Sequence, residues 1–212
     1  MKGIRQDNIP DAVSLQGVVT AMIYIIRHGQ TGLNHAMALQ GRSDQPLNEN
    51  GIAQAKAAGG WFRAHGVHFD HVWSSSLQRA VQTAELVSGN RVPAQIDQRL
   101  IEMDYGPYEG VSLTSPPPEI ITFFSDLVHN PAPKGMEQLS SVVSRLGAFL
   151  EELRAGNESG NVLISAHAIS MKGALEYLSP ESRGGYWSKN IGNCAVYQFQ
   201  LADGRYSVKD GP

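Results

Sequence analysis

Apolar positions follow two rhythms along this chain. Met22-Ile23-Tyr24-Ile25-Ile26 is an unbroken hydrophobic run that stops abruptly at Arg27-His28-Gly29. A run this short, bounded by a turn residue, reads as a strand buried on both faces. Val72-Trp73 and Asn161-Val162-Leu163-Ile164-Ser165 read the same way, Gln95-Ile96-Asp97 is a weak strand, and residues 194–201 form a late one. The second rhythm is helical. Leu139, Val142, Val143, Leu146, Phe149, Leu150 and Leu153 recur at i, i+3, i+4 and i+7 and predict a helix over residues 138–154, with Arg145, Glu151, Glu152 and Arg154 on its solvated side. Asn48 caps a helix running to about Arg63. Ser74-Ser75-Ser76 ends the second strand and supplies the cap of a helix with Leu77, Ala80, Val81, Ala84 and Val87 on one face. Shorter helices cover residues 31–39 and 169–178. Short strands alternating with longer helices imply an α/β fold, a three-layer α/β/α sandwich around a mostly parallel central sheet.

Two stretches depart from these rhythms. Residues 1–21 scatter Lys2, Arg5, Asp7, Asn8, Pro10 and Asp11 without an apolar core, so they are expected to be a peripheral extension, not a secretory signal, ahead of a domain covering residues 22–212. Residues 105–135 carry Gly106, Pro107, Gly110 and three consecutive prolines, and cannot form one continuous core element. They are expected to be a small lid excursion over the site, with a helix within residues 120–128.

The bulk properties narrow the function. With 212 residues the chain is long enough for one α/β domain with a substantial core. Lys and Arg total 17 against 20 Asp and Glu, a net charge of −3. Nucleic-acid and membrane-surface binding both need a basic excess, so neither partner is expected. The longest apolar stretch, residues 18–26, is interrupted by Thr20 and is too short to span a bilayer. A single cysteine excludes an intramolecular disulfide and fits a reducing, cytoplasmic setting. The neighbours of Cys194 are strand-like, which makes it a small buried strand residue and not a nucleophile.

Candidate chemistry gathers at strand ends. Two predicted strands finish alike, one at Arg27-His28 and the other at Ala166-His167. Parallel strands bring both imidazoles to one sheet edge, where open α/β sheets bind ligands. Arg79 lies in the first turn of the helix after the second strand, where a cation opposes the macrodipole unless an anion sits nearby. Cations, imidazoles and free N–H groups at a helix start favour an anion, phosphate above all. Gly29 is expected to let the backbone pass close to that ligand, and Thr31 to cap the helix that follows. His65, His68 and His71 share no helical or strand face and have no companion cysteines, so no metal is assigned to them. No Walker glycine loop with its lysine occurs, so ATP-dependent transfer is unsupported.

The order of segments around these residues resembles the histidine phosphatase superfamily, whose fold is phosphoglycerate-mutase-like. Arg27-His28-Gly29-Gln30-Thr31-Gly32-Leu33-Asn34 is similar to its RHG-x-T-x-x-N segment. Gln40-Gly41-Arg42-Ser43-Asp44-Gln45-Pro46-Leu47, Ser75-Ser76-Leu77-Gln78-Arg79-Ala80, Leu100-Ile101-Glu102, Gly135-Met136-Glu137 and Ser165-Ala166-His167 continue the likeness in order over residues 22–201. Tyr108-Glu109-Gly110 resembles the broad-specificity and α-ribazole phosphatase branch, and fructose-2,6-bisphosphatases are similar too. Ala168 stands where the family commonly has Gly, and Tyr108 where Trp is common.

The resemblance implies a metal-independent phosphatase, without cofactor, that hydrolyses small-molecule phosphate monoesters through a phosphohistidine on His28. It implies Arg27, Arg79, His167 and Asn34 as donors to the phosphoryl oxygens, with Gln40 and Gly41 completing the substrate site. Glu102 would protonate the leaving oxygen and then act as base, with Glu109 as the competing acid. The expected partners are a small phosphorylated metabolite and inorganic phosphate as product, and there is room for a homodimer. Two other functions stay open, phosphoglycerate-mutase-type phosphoryl transfer and a catalytically silent phospho-ligand binding module. Mutases of the family usually carry longer insertions after the acid, whereas residues 111–134 are short and add one lysine, Lys134.

Overall fold

A computed structural model of the chain describes residues 20–156 and 159–210. Six strands form one sheet: β1 (Thr20–Arg27), β2 (His71–Ser74), β3 (Gln95–Ile96), β4 (Gly160–Ala166), β5 (Val196–Ala202) and β6 (Arg205–Asp210), in the order β3-β2-β4-β1-β5-β6. The β1–β4, β4–β2 and β2–β3 pairs are parallel, and β5 and β6 add an antiparallel edge. The helices are α1 (Gly32–His35), α2 (Glu49–Ala64), α3 (Gln78–Ser88), α4 (Pro118–Ser125), α5 (Leu139–Ala155) and α6 (Ala168–Leu178). The expected three-layer α/β architecture is the one observed.

The unbroken hydrophobic run of β1 is explained by the two cores it feeds. Side chains alternate across a strand. Ile23 and Ile25 enter the larger core with Leu146, Phe149 and Leu150 of α5 and Leu175 of α6, while Tyr24 and Ile26 face the smaller core with Phe62 of α2 and Val87 of α3. Each such fully buried side chain contributes about 1.5–3 kcal/mol. A central strand covered on both faces has no solvent side on which to place polar residues.

Several expected boundaries move. β1 begins at Thr20 and Ala21 is buried, so these two residues belong to the sheet; the rest of the expected extension, residues 1–19, lies outside the described residues. β6 was not anticipated. It follows a hairpin turn in which Asp203 and Gly204 both have positive φ, 51° and 68°, and Asp-Gly is the local signal for such a turn. Leu77, not a serine, stands at the cap position of α3 and makes no side-chain cap bond; Ser75 Oγ instead accepts from Leu77 N at 3.3 Å. Cys194 precedes β5 in a turn with φ 56° and is half-buried, so it is not a strand residue; burial pushes its thiol up to about 11. Within residues 105–135 the helix is α4, flanked by irregular backbone that pairs with residues 37–39 through Leu39 N to Val111 O at 2.8 Å and Leu113 N to Met37 O at 2.7 Å.

Candidate active site

The β1–β4 register places Arg27 opposite Ala166, so the two residues that follow, His28 and His167, leave the sheet side by side. His28 N donates to Ala166 O at 3.0 Å, which carries the ladder one step past the strand end. The two rings lie 5.1 Å apart between centroids, and both are buried. His28 Nδ1 is 2.7 Å from Gly29 O. A carbonyl can only accept, so Nδ1 carries the proton and the lone pair is on Nε2. Burial, then the charges of Arg79 and Arg27, holds the His28 pKa well below the usual histidine range; burial, Arg79, His28 and Arg27 do the same to His167. Both imidazoles are therefore neutral at pH 7.

Arg79 is fully buried, and burial pushes its pKa down to about 10. Its guanidinium donates to Gly41 O at 2.6 Å, Ser43 O at 2.8 Å and His28 Nε2 at 3.3 Å. Thr83, one turn on, donates to Arg79 O at 2.7 Å and accepts from Gly29 N at 3.0 Å, tying α3 to the end of β1. Arg27 Nη1 donates to Ile191 O at 2.6 Å. Four buried side-chain nitrogens lack a partner among the described residues: Arg27 Nε, Gln40 Nε2, His167 Nδ1 and Trp73 Nε1. Three of them belong to expected site residues, and an unsatisfied buried polar group is costly unless something binds it.

Gln40, Asn34 and Gly41 are held in the same cluster. Gln40 Oε1 accepts from Thr31 Oγ1 at 2.6 Å and Asn34 Nδ2 at 3.4 Å, while Thr31 caps α1 as expected. Asn193 joins them, donating to His28 O at 3.0 Å and Asn34 Oδ1 at 3.3 Å. No local pattern marked Asn193, because its role depends on the chain returning ahead of β5. A Cβ on Gly41 would lie 2.5 Å from Met103 O, so only glycine fits there. A Cβ on Gly29 would lie 2.5 Å from Gly51 O, so the backbone of α2 by itself requires glycine there.

The two carboxylates separate clearly. Glu109 accepts from Gly41 N at 2.8 Å, Ser43 Oγ at 2.6 Å, Ser43 N at 3.2 Å and Arg42 N at 3.3 Å, so it is occupied in shaping the 41–43 loop. Glu102 is buried and lines the cavity beside Arg27; it accepts from Met103 N at 2.8 Å and, at the start of α6, from Ile169 N and Ser170 N at 3.1 Å. Arg145 positions the Glu102 backbone. Its Nη1 donates to Arg99 O and Ile101 O at 2.6 Å, and its Nε to Glu137 at 2.9 Å. Arg145 is thus not on the solvated side of α5. It stands three residues after buried Val142 and four before buried Phe149, a helical spacing that marks the inner face.

Arg27, Asn34, Gln40 and Glu102 line a cavity of about 630 Å³ together with Tyr105, Leu113, Pro116, Ile121 and Phe124 of the 105–135 segment. Lys172, one turn beyond Ala168 on α6, also lines it and was not expected. Its Nζ donates to Trp187 O at 2.8 Å, and burial lowers its pKa. Ala168 also lines the cavity, whereas Tyr108 donates to Glu119 at 3.3 Å near the surface. The three set-aside histidines go separate ways: His65 stacks on Trp61, His68 meets Arg91, and His71 opens β2.

Two neutral imidazoles, buried Arg79 and half-buried Arg27 gather at the carboxyl edge of a parallel strand pair in an α/β fold. Residues 23–210 match the histidine phosphatase superfamily (branch 1), and the chain belongs to that family. It is 35% identical over 161 residues to a fructose-2,6-bisphosphatase (TIGAR B) of Danio rerio, a match covering 70% of this chain and 60% of that protein's length. It is 31% identical over 206 residues to a 2,3-bisphosphoglycerate-dependent phosphoglycerate mutase of Azorhizobium caulinodans, covering 89% of this chain and 96% of the relative. The fold is phosphoglycerate-mutase-like: the crystal structure of the Bacillus anthracis phosphoglycerate mutase superposes with a TM-score of 0.75 at 24% identity, over 91% of this chain and 93% of that one.

Proposed function

We propose that this protein is a metal-independent phosphatase that hydrolyses small-molecule phosphate monoesters through a phosphohistidine on His28. The observation that carries this reading is the neutral His28 ring with its Nε2 lone pair directed to Arg79, beside buried Arg27 and Gln40 nitrogens that lack partners. A phosphate monoester carries close to two negative charges at neutral pH, and its oxygens suit the guanidinium forks of Arg27 and Arg79. In the first step His28 Nε2 attacks phosphorus, the P–O bond to the alcohol breaks, and Glu102 supplies the proton that the leaving oxygen takes up. In the second, water attacks phosphorus as Glu102 removes its proton, the P–N bond breaks, and phosphate leaves with His28 again neutral. Arg27, Arg79, His167, Asn34 and Gln40 donate to the phosphoryl oxygens, and Gly41 gives the loop its close approach. Glu109 is assigned to the loop and not to proton transfer.

The mutase relative favours a second reading, in which the phosphoryl group passes to an acceptor alcohol in place of water. That reaction holds a second phosphate, and among the described residues Lys172 is the one lysine lining the cavity, which supports water as the acceptor. Rapid-quench labelling with ³²P-phenyl phosphate tests the proposal. An acid-labile, base-stable phosphoenzyme is expected within one turnover; measurable turnover without it overturns the mechanism. Release of label as inorganic phosphate, unaffected by 3-phosphoglycerate with 2,3-bisphosphoglycerate, separates the phosphatase from the mutase.

A further inference from the structure

Helix α4 is apolar on two sides. Ile120 and Phe123 are each 1% exposed and hold it to the larger core, which accounts for one side. Ile121 and Phe124 remain 55% and 36% exposed, although nothing in an eight-residue surface helix requires large hydrophobic groups there. Both line the cavity, with Leu113, itself 39% exposed, and Pro116 across from them. The Phe124 ring lies edge-on to its neighbours, 6.2 Å from the ring of Tyr105 and 5.0 Å from that of Phe123 between centroids. The cavity therefore joins a cationic end at Arg27 to an apolar mouth. At about 630 Å³ it is far larger than a phosphate group needs, and among the described residues Lys172 is the only cation besides Arg27 that lines it. Against Leu113, Pro116, Ile121 and Phe124 a second phosphate on the alcohol would find no hydrogen-bond donor; beyond Arg27, Asn34 and Gln40 the donors on the wall include Ser125, Asn190 and Lys172, the last already bound to Trp187 O.

From this arrangement we infer that the alcohol part of the preferred substrate is an apolar chain or ring, bound against Leu113, Ile121 and Phe124, and that the substrate carries one phosphate. This rests on the phosphatase reading above and specifies its substrate class.

Ethyl, butyl and hexyl phosphate share one leaving-group chemistry and differ only in methylenes, so kcat/KM along the series isolates the apolar contact. Full burial of one methylene is worth ~0.8 kcal/mol, about fourfold; at a partly exposed mouth the expected gain from ethyl to hexyl is about tenfold or more, with fructose 1,6-bisphosphate below hexyl phosphate. In Ile121→Asn and Phe124→Ser, read as the hexyl-to-ethyl ratio within each variant, the ratio falls several-fold toward one. A flat series with good turnover, or a bisphosphate as the best substrate, overturns the inference while leaving the phosphatase reading intact. Absence of turnover even with p-nitrophenyl phosphate overturns that reading. In that case calorimetric binding of hexylphosphonate against methylphosphonate still decides the inference: tighter binding of the longer chain sustains it, and equal binding rejects it.

Discussion

The floor of the site and the segment above it are built on opposite principles. The floor is strand ends and helix starts whose polar groups are buried and tied to backbone: Arg79 to two carbonyls, His28 to Gly29, Glu102 to three N–H groups. Moving any of these groups breaks hydrogen bonds in a low-dielectric interior, where they are expensive to leave unmade. The other, residues 105–135, is held by core contacts of Ile120 and Phe123 and by Glu109 on the 41–43 loop, while polar groups such as Tyr108 and Glu119 meet near the surface. On the proposed function, such a division lets residues 105–135 change which alcohol is accepted while the buried polar groups stay in place.

Substitutions grade this contrast. On the proposed mechanism His28→Ala removes the attacking atom, and turnover should fall by about 10⁴-fold or more; steady-state assays with p-nitrophenyl phosphate read this directly. Arg79→Met should lower kcat/KM by roughly 10²–10³-fold, as expected for losing one fixed donor. It should also move the acid limb of the pH profile upward, because Arg79 helps keep the His28 pKa low and His28 then protonates closer to its ordinary value. An unmoved limb would show that burial alone keeps His28 neutral. Glu102→Gln should slow alkyl phosphates about 10²-fold and p-nitrophenyl phosphate much less, since only the poor leaving group needs a proton. Glu109→Gln, which loosens the 41–43 loop, should lower both to a similar and smaller extent. Equal leaving-group sensitivity in the two variants would reverse the assignment of the two carboxylates.

The same buried floor sets a pH dependence of stability. The unfolded chain binds protons on His28 and His167 near pH 6.5, while in the folded protein both pKa values lie well below this. Between those limits the unfolded state holds more protons, so stability is fully present above about pH 6.5 and is lost as pH falls through the folded values. Urea unfolding at pH 7.5 and 5.5 should show the loss, and His28→Asn with His167→Asn should flatten it. The smallest effect is expected in residues 105–135. Tyr108→Phe removes a surface hydrogen bond to Glu119 and should change stability by less than about 0.5 kcal/mol.

The hydrophobic pattern was sufficient for β1, β4 and α5, because burial on one or both faces imposes a short-range period that composition carries openly. The pair Arg27-His28 and its counterpart His167 could be placed at one edge for the same reason: a parallel register needs only two strands of the same kind. Other contacts were out of reach. Glu109 meets Gly41 across 68 residues, and Arg145 reaches Ile101 across 44. Nothing in the local sequence distinguishes a carboxylate that shapes a loop from one that faces the cavity, and the spacing that puts Arg145 on the inner face of α5 does not say which carbonyls it reaches.

Sequence by itself determined the layered α/β architecture, the centres of the longer helices and of the strands other than β6, and which residue types meet at the sheet edge, since each follows from periodicity and chain order. Only the tertiary structure decided the protonated nitrogen of His28, the separate duties of Glu102 and Glu109, the inward turn of Arg145, the backbone neighbour of Gly29, and the presence of Lys172 and Asn193 in the cluster. Those depend on hydrogen bonds and close packing between segments distant in the chain, and such contacts exist only once the layers have come together.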